Sequence, residues 1–477
     1  MNDIYLSHYE HSSENITMSD VKSVHAQLTD KTEDPYEIDK CVKWIETHNL
    51  EKVCLQFPDD LLLDSVNIAL HLEKCINRKV YILGDTTCGS CCVDVITAQH
   101  VNADGIIHFG HACLNPVNQI SVFHVLPQKK IDVTCFQEQF KKTLQDITKK
   151  CILFYDVAYA HLIEYIYNNL KPIFKNLILS TLNCKSNVEF TDSKDASAKI
   201  ILGRTYILKN DFKINDYEAI FLGENGKTFS TLAMSIPAKK WYYFESNKVI
   251  EFNVLNSSWL KRRRFLVEKL KDAKVVGIVV ATLGIQDYLK CISMIKNTLK
   301  QKNKKTYTLC VGKINPTKLA NFPEVDAFVI IACSENEVFD SRDFLRPILM
   351  PFEVDLAFNT SRKFSTQYCM DFRQILPGGL NYCDFETSME TDVSLITGEV
   401  RNTDKDILCI NKMDALVLKT PGVVAIGNAG AQFLQERSWK GVEQRLGKDS
   451  PCPAQIGRRG IASHYNNELC TEKKEDM

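Results

Sequence analysis

The chain has 477 residues and a formal net charge of -1, with Lys+Arg 58 against Asp+Glu 59. That length exceeds one ordinary domain and suffices for two to four, each able to bury its own core. The even charge balance supplies no basic field for non-specific nucleic-acid binding. No basic stretch followed by an apolar one opens the sequence, and no apolar run reaches the roughly 18–20 residues of a membrane-spanning helix. The expectation is a cytoplasmic protein that binds neither membrane nor nucleic acid directly.

Eighteen cysteines in a reducing compartment do not form a disulfide framework. Most are expected to serve as buried apolar residues, Cys54, Cys151, Cys291 and Cys310 among them. Cysteines at the ends of strands remain the chemically interesting ones.

Residues 1–34 are polar and aperiodic, a flexible tail by composition. Regular patterning then begins with the apolar run Val53–Phe57, helical spacing over Asp60–Cys75, and a second run, Lys79–Leu83. A helix is expected over Cys91–Val101 and a third strand over Gly105–Phe109. The alternation restarts near Cys151 with CILFYD, a helix near Ala158–Leu170, and the strand-like runs ILSTL, ILGRTYIL and AIFLG. It restarts again at Val275 with VVGIVVATLG, a helix over Gln286–Leu299, TYTLCVG and AFVIIAC. Short apolar strands alternating with helices predict parallel sheets covered on both faces. The expected fold class is therefore α/β: three similar small domains (35–148, 149–272 and 273–362) and a C-terminal extension (363–477) with a disordered end. Lys261–Arg264, the run KRRR between the second and third units, reads as a solvated helix face.

The stretch Leu83–Pro116 concentrates the chemistry, with Cys88, Cys91, Cys92, Cys113, His108 and His111 in two turns that each follow an apolar run. Ligands of open parallel sheets bind beyond the carboxyl ends of the strands. Cys91 and Cys92 follow the second strand, Cys113 follows the third, and Cys333 follows the matching strand of the third unit. Three thiolates with one open position suit a 4Fe-4S cluster. The single C-x-x-C pair, Cys88 and Cys91, leaves zinc open, and unconnected thiols remain a third reading. The histidines read as hydrogen-bonded structural groups and Asp85 and Asp94 equally as helix caps or acids. Gly223–Thr228 (GENGKT) lacks the first glycine of a phosphate loop, its place being taken by Phe221. With Asn411–Asp414 (NKMD) it supplies a competing GTP-binding reading, but no D-x-x-G accompanies them.

GSCCVD (Gly89–Asp94), AQHVNAD (Ala98–Asp104) and HFGHACLNP (His108–Pro116) resemble the signature of the diphthamide biosynthesis proteins, the 3-amino-3-carboxypropyl transferase family. The likeness extends through AMSIP (Ala233–Pro237), IACS (Ile331–Ser334), RSWKGVEQRLG (Arg437–Gly447) and GRRGIASHY (Gly457–Tyr465). The resemblance implies three homologous α/β domains around a central 4Fe-4S cluster. In that family the cluster binds S-adenosylmethionine, and an aminocarboxypropyl radical adds to a histidine of elongation factor two.

The catalytic pattern of the family carries a cysteine in the middle domain, in a segment like GQVLGC. Here that segment reads GRTYIL (Gly203–Leu208), without a thiol, and Cys184 is a poor substitute. The eukaryotic second subunit of the heterodimer instead uses the HACL cysteine. The resemblance therefore assigns Cys91, Cys113 and Cys333 as ligands, with Cys92 as the alternative to Cys91. It implies an auxiliary iron-sulfur subunit that pairs with a homologous catalytic first subunit, draws on a small iron-containing electron donor, and acts on elongation factor two. A scaffold without a redox role is the second expectation, and a self-sufficient homodimer the third.

Overall fold

The computed structural model describes residues 34–84, 89–184, 198–209, 212–362, 367–386 and 392–401, with the backbone of 460–461 and 464–465. Two units divide the chain, Met1–Ala415 and Leu416–Met477. The second contributes an antiparallel pair, Gly460–Ile461 with His464–Tyr465. All else described lies in the first. The N-terminal tail, Asp85, Cys88, the NKMD stretch, the charged C-terminal end and the side chains of the closing motif lie outside the described residues.

The apolar runs form strands. Val53–Gln56 (β1), Val80–Leu83 (β2), Gly105–Phe109 (β3) and Ser121–Val125 (β4) make a parallel sheet in the order β2-β1-β3-β4. Alternate residues of β1 feed opposite faces. Val53 and Leu55 pack with the helices Ile38–Thr47 and Ser65–Ile76, whereas Cys54 packs with Ala98 of the helix Val95–Gln99. Burial on both faces is what makes such strands read as unbroken apolar runs.

The second sheet contains Cys151–Tyr155 (β5) and Leu177–Leu179 (β6). The short strands Thr181–Leu182 (β7), Ala198–Ile201 (β8) and Arg204–Ile207 (β9) stand apart in an antiparallel sheet of their own, and Glu218–Leu222 (β10), Lys240–Glu245 (β11) and Lys248–Phe252 (β12) complete the larger one. Its order is β12-β11-β10-β5-β6, parallel apart from β12. The third sheet joins Val275–Val280 (β13), Lys305–Cys310 (β14), Ala327–Ile331 (β15) and Ile348–Leu349 (β16) in the order β14-β13-β15-β16, all parallel. In each sheet the first two strands of the unit are neighbours, the third joins the first on its other side, and the fourth follows. The three starts seen in the sequence are thus three sheets of one topology.

The structure departs from the sequence reading in four places. ILGRTYIL is not one strand: Leu202 (φ 50°) and Gly203 (φ 69°) form a left-handed turn that folds the run into the β8–β9 hairpin. The helix expected over Cys91–Val101 begins only at Val95, because Asp94 caps it by accepting from Thr97 N at 3.0 Å. Cys310 ends β14, an edge strand, and is exposed rather than in the core. The KRRR run does lie in a helix, Ser258–Asp272, but Arg263 is 1% exposed and pairs with the equally buried Glu353.

Beyond residue 362 the chain remains part of the fold. Tyr368, Cys369, Met370 and Ile375 enter one face of the third sheet's core and Phe372 the other. Among the described residues no helix is long and apolar enough to cross a membrane.

Candidate metal centre

Each strand end that the sequence marked delivers its thiol to one place. After β2, the chain makes a turn in which Cys92 N donates to Gly89 O at 3.0 Å. Gln56, at the end of β1 and 1% exposed, clamps that turn. Its Nε2 donates to Cys92 O at 2.8 Å, and its Oε1 accepts from Asp94 N at 2.9 Å. After β3, Cys113 N donates to Cys91 O at 3.1 Å, which locks the two segments together. Cys333 arrives from beyond β15, and its sulfur accepts from Glu335 N at 3.4 Å.

The sulfur atoms of Cys91, Cys92, Cys113 and Cys333 all lie within 4.8 Å of one another. Cys92 Sγ is 3.5 Å from Cys113 Sγ and 4.0 Å from Cys91 Sγ. Three of the four are buried and Cys91 is half-buried. Because Cys91 and Cys92 precede the helix rather than open it, their side chains do not diverge as successive helical residues would, and both thiols reach the cluster. Asn115 Nδ2 donates to Cys113 Sγ and to Cys333 Sγ, each at 3.2 Å.

The thiols share their protons unevenly. Cys113 is held well below the ordinary thiol range by the hydrogen bonds its sulfur receives from Cys333, Cys91 and Cys92. Cys91 and Cys92 are pushed up by their bonds to Cys113 and Cys333 and by burial. Buried thiolates packed this closely repel one another unless a cation joins them, so this donor set is suited to metal. Soft sulfur ligands, hydrogen-bond donors aimed at them and exclusion of water are also what a 4Fe-4S cluster requires. The residues therefore fit the group that the sequence anticipated.

The histidines are not among the converging ligands. His108, 0% exposed, donates from Nε2 to Ser90 O at 2.9 Å and steadies the segment before Cys91. Burial lowers its pKa to about 4, so the ring is neutral. His111 Nε2 meets Glu335 Oε2 at 2.7 Å, linking the Cys113 segment to the Cys333 segment. Burial opposes charge on His111, but the Glu335 carboxylate outweighs it and the net direction is upward. Cys184 packs beside Ala112, Leu114 and Val157, away from the four sulfurs. The loop of GENGKT does connect β10 to a helix, Lys227–Ser235, but Lys227 Nζ is engaged by Asp340 Oδ2 at 2.6 Å.

Gln56, Asn115, Glu335 and Arg373 escaped the sequence reading. Asn115 was visible inside HFGHACLNP, and its place two residues after Cys113 was the available signal. Arg373 gave none, standing 258 residues from its partner Asn115 in a stretch without periodicity.

The fold and this thiol cluster define an α/β protein of repeated parallel sheets with four cysteine sulfurs gathered at the strand ends. A family model described as "Putative diphthamide synthesis protein" matches residues 57–369. The chain is 36% identical over 456 residues to 2-(3-amino-3-carboxypropyl)histidine synthase subunit 2 of Danio rerio, covering 91% of each. It is 32% identical over 469 residues to the subunit of the same name in Schizosaccharomyces pombe, covering 92% of each. The chain belongs to the diphthamide synthesis protein family. Its fold is that of Dph2 from Pyrococcus horikoshii, at a TM-score of 0.54 and 19% identity over 69% of this chain and 92% of that one. A second structure of that protein, also at 0.54 and with 18% identity over 67% and 90%, carries a 4Fe-4S cluster.

Proposed function

We propose that this chain is the auxiliary iron-sulfur subunit of a heterodimeric 3-amino-3-carboxypropyl transferase, with Cys91, Cys113 and Cys333 as cluster ligands. The observation that carries the reading is the meeting of thiols from three strand ends within 4.8 Å. The relatives named subunit 2, matched over nine-tenths of their length, support the assignment of the subunit. Cys92 is the fourth thiol. It lies in the apolar core with Cys113, Ile285 and Cys333, while Cys91 sits at the margin of that core and is partly open. The three sheets correspond in this reading to domains 35–148, 149–272 and 273–362, and 363–477 forms the extension.

A 4Fe-4S cluster, when bound, supplies one-electron transfer. The chain's own residues hold it: Gln56 and His108 fix the Cys91 turn, and the His111–Glu335 pair ties the Cys113 and Cys333 segments. The catalytic first subunit performs the transfer of the aminocarboxypropyl group from S-adenosylmethionine to a histidine of elongation factor two. This subunit supports reduction of the partner's cluster, with a small iron-containing protein as the electron source, in the cytoplasm. The lost middle-unit thiol supports an auxiliary rather than a catalytic part.

The test is anaerobic iron and sulfide analysis of the heterodimer carrying Cys91→Ala, Cys113→Ala and Cys333→Ala together. Iron should fall to what the partner alone carries; unchanged content sinks the ligand set. A normal heterodimer that yields less diphthamide in cells would exclude a scaffold without a redox role.

One observation favours a second occupant. Sulfur separations of 3.5 and 4.0 Å bracket the about 3.8 Å expected between thiolates on one tetrahedral zinc with Zn–S bonds near 2.3 Å. Zinc in place of iron and sulfide in the same analysis would establish that reading.

A further inference from the structure

Resting on the cluster reading above, we propose that Asn115, held in place by Arg373, is a positioning residue that raises the reduction potential of the centre. One amide nitrogen serves two sulfurs: Nδ2 lies 3.2 Å from Cys113 Sγ and 3.2 Å from Cys333 Sγ. An asparagine amide has two N–H groups, one for each. Its oxygen faces the other way and accepts from Arg373 Nη2 at 3.3 Å. That bond fixes the amide's orientation, because the reverse would set lone pairs against sulfur.

Arg373 is itself immobilised. Its Nη2 and Nε donate to Asp371 at 2.7 and 3.0 Å, and its backbone N donates to Asp371 Oδ1 at 3.0 Å. The neighbouring Phe372 and Ile375 are buried in the core of the third sheet. A single chain of hydrogen bonds thus runs from the segment after residue 367 to the ligand of the first sheet and the ligand of the third. Gathering them requires the fold, since Asn115 and Cys333 are 218 residues apart.

Hydrogen bonds to ligand sulfur stabilise the form with more negative charge, which for an iron-sulfur cluster is the reduced one. Reduction adds one electron from an external donor, and no bond or proton changes at Asn115. Removing the two donors should therefore lower the potential without removing a ligand. Arg373, acting through Asn115, should have the same sign and a smaller effect.

The experiment is an anaerobic redox titration of the full chain, reconstituted with iron and sulfide, using dithionite as reductant and electron paramagnetic resonance as readout. Asn115→Leu should retain wild-type iron and sulfide and shift the one-electron equilibrium toward oxidised cluster about tenfold, ~59 mV. Arg373→Met should shift it less, in the same direction. Retained iron with an unchanged potential in both variants overturns this inference and leaves the cluster reading standing. A wild-type chain that takes up no iron overturns the cluster reading, and this inference with it. Should Asn115→Leu fail to fold or to hold iron, the titration of Arg373→Met decides on the same criterion.

Discussion

Gly203 and Leu114 meet so closely that a Cβ added to Gly203 would stand 2.2 Å from Leu114 Cβ and 2.7 Å from Leu114 O. The turn of the β8–β9 hairpin therefore rests on the residue that follows Cys113. Gly203 opens the segment GRTYIL and acts as a backing plate for the Cys113 loop. The last residue of that segment, Leu208, is buried in the middle sheet's own core with Phe154 and Trp241.

A side chain at Gly203 meets both a steric and a backbone objection, since its φ of 69° lies in the left-handed region. Gly203→Ala should cost about 2–3 kcal/mol and loosen the Cys113 loop. Urea denaturation measures the first effect and iron retained after anaerobic gel filtration the second. A single variant as stable as the wild type would show that the contact yields freely.

Arg263 and Glu353 make a different prediction. Both are buried, the guanidinium donates to both carboxylate oxygens, Nε at 2.7 Å, and Tyr368 donates to the same carboxylate. Truncating one partner leaves a buried charge unpaired, so Arg263→Met should cost about 3–5 kcal/mol. Arg263→Met with Glu353→Met should lose much less, because two apolar groups of similar volume replace the pair. Equal losses in the single and double variants, read by chemical denaturation, would contradict the assignment of the cost to the stranded carboxylate.

The fold was largely legible because β1, β3, β5, β10, β13 and β15 are buried on both faces and read as continuous apolar runs. The converging thiols could be anticipated because the strand ends carry them and all four, Cys91, Cys92, Cys113 and Cys333, fall within the family motifs. Three features were hidden for physical reasons. An apolar leucine at positive φ carries no turn signal, so the β8–β9 hairpin read as one strand. Arg263 looked solvated because nothing in KRRR reveals a carboxylate 90 residues away. The Asn115–Arg373 contact depends on side chains that only the finished packing brings together.

Burial of His108 makes stability depend on acid. Its folded pKa, lowered to about 4 by burial, lies below the about 6.5 of the unfolded chain. The unfolded state therefore binds the proton first. The stability this neutral ring contributes is fully present above about 6.5 and is lost as pH falls toward 4. At about pH 5 the loss should be roughly 2 kcal/mol. His108→Asn removes the titration, so its stability should fall less than that of the wild type between pH 7 and pH 5. Parallel losses in urea titrations at the two pH values would assign the acid sensitivity to other groups.

Cys91 and Cys92 can be told apart by the consequences of losing each. Both sulfurs are within 4.8 Å of Cys113 and Cys333, so proximity alone does not choose between them. Cys92 is packed in the core with Ile285, whereas Cys91 lies at the margin of that core and is only half-buried. Cys91→Ala should therefore remove most of the iron while leaving the fold intact. Cys92→Ala should retain the iron and cost about 1–2 kcal/mol of stability, the loss expected for a small buried side chain. The two measurements, metal content and urea midpoint, should move in opposite variants. Iron lost equally from both would mean that the pair shares the ligand position, and iron lost only from Cys92→Ala would transfer the assignment to Cys92.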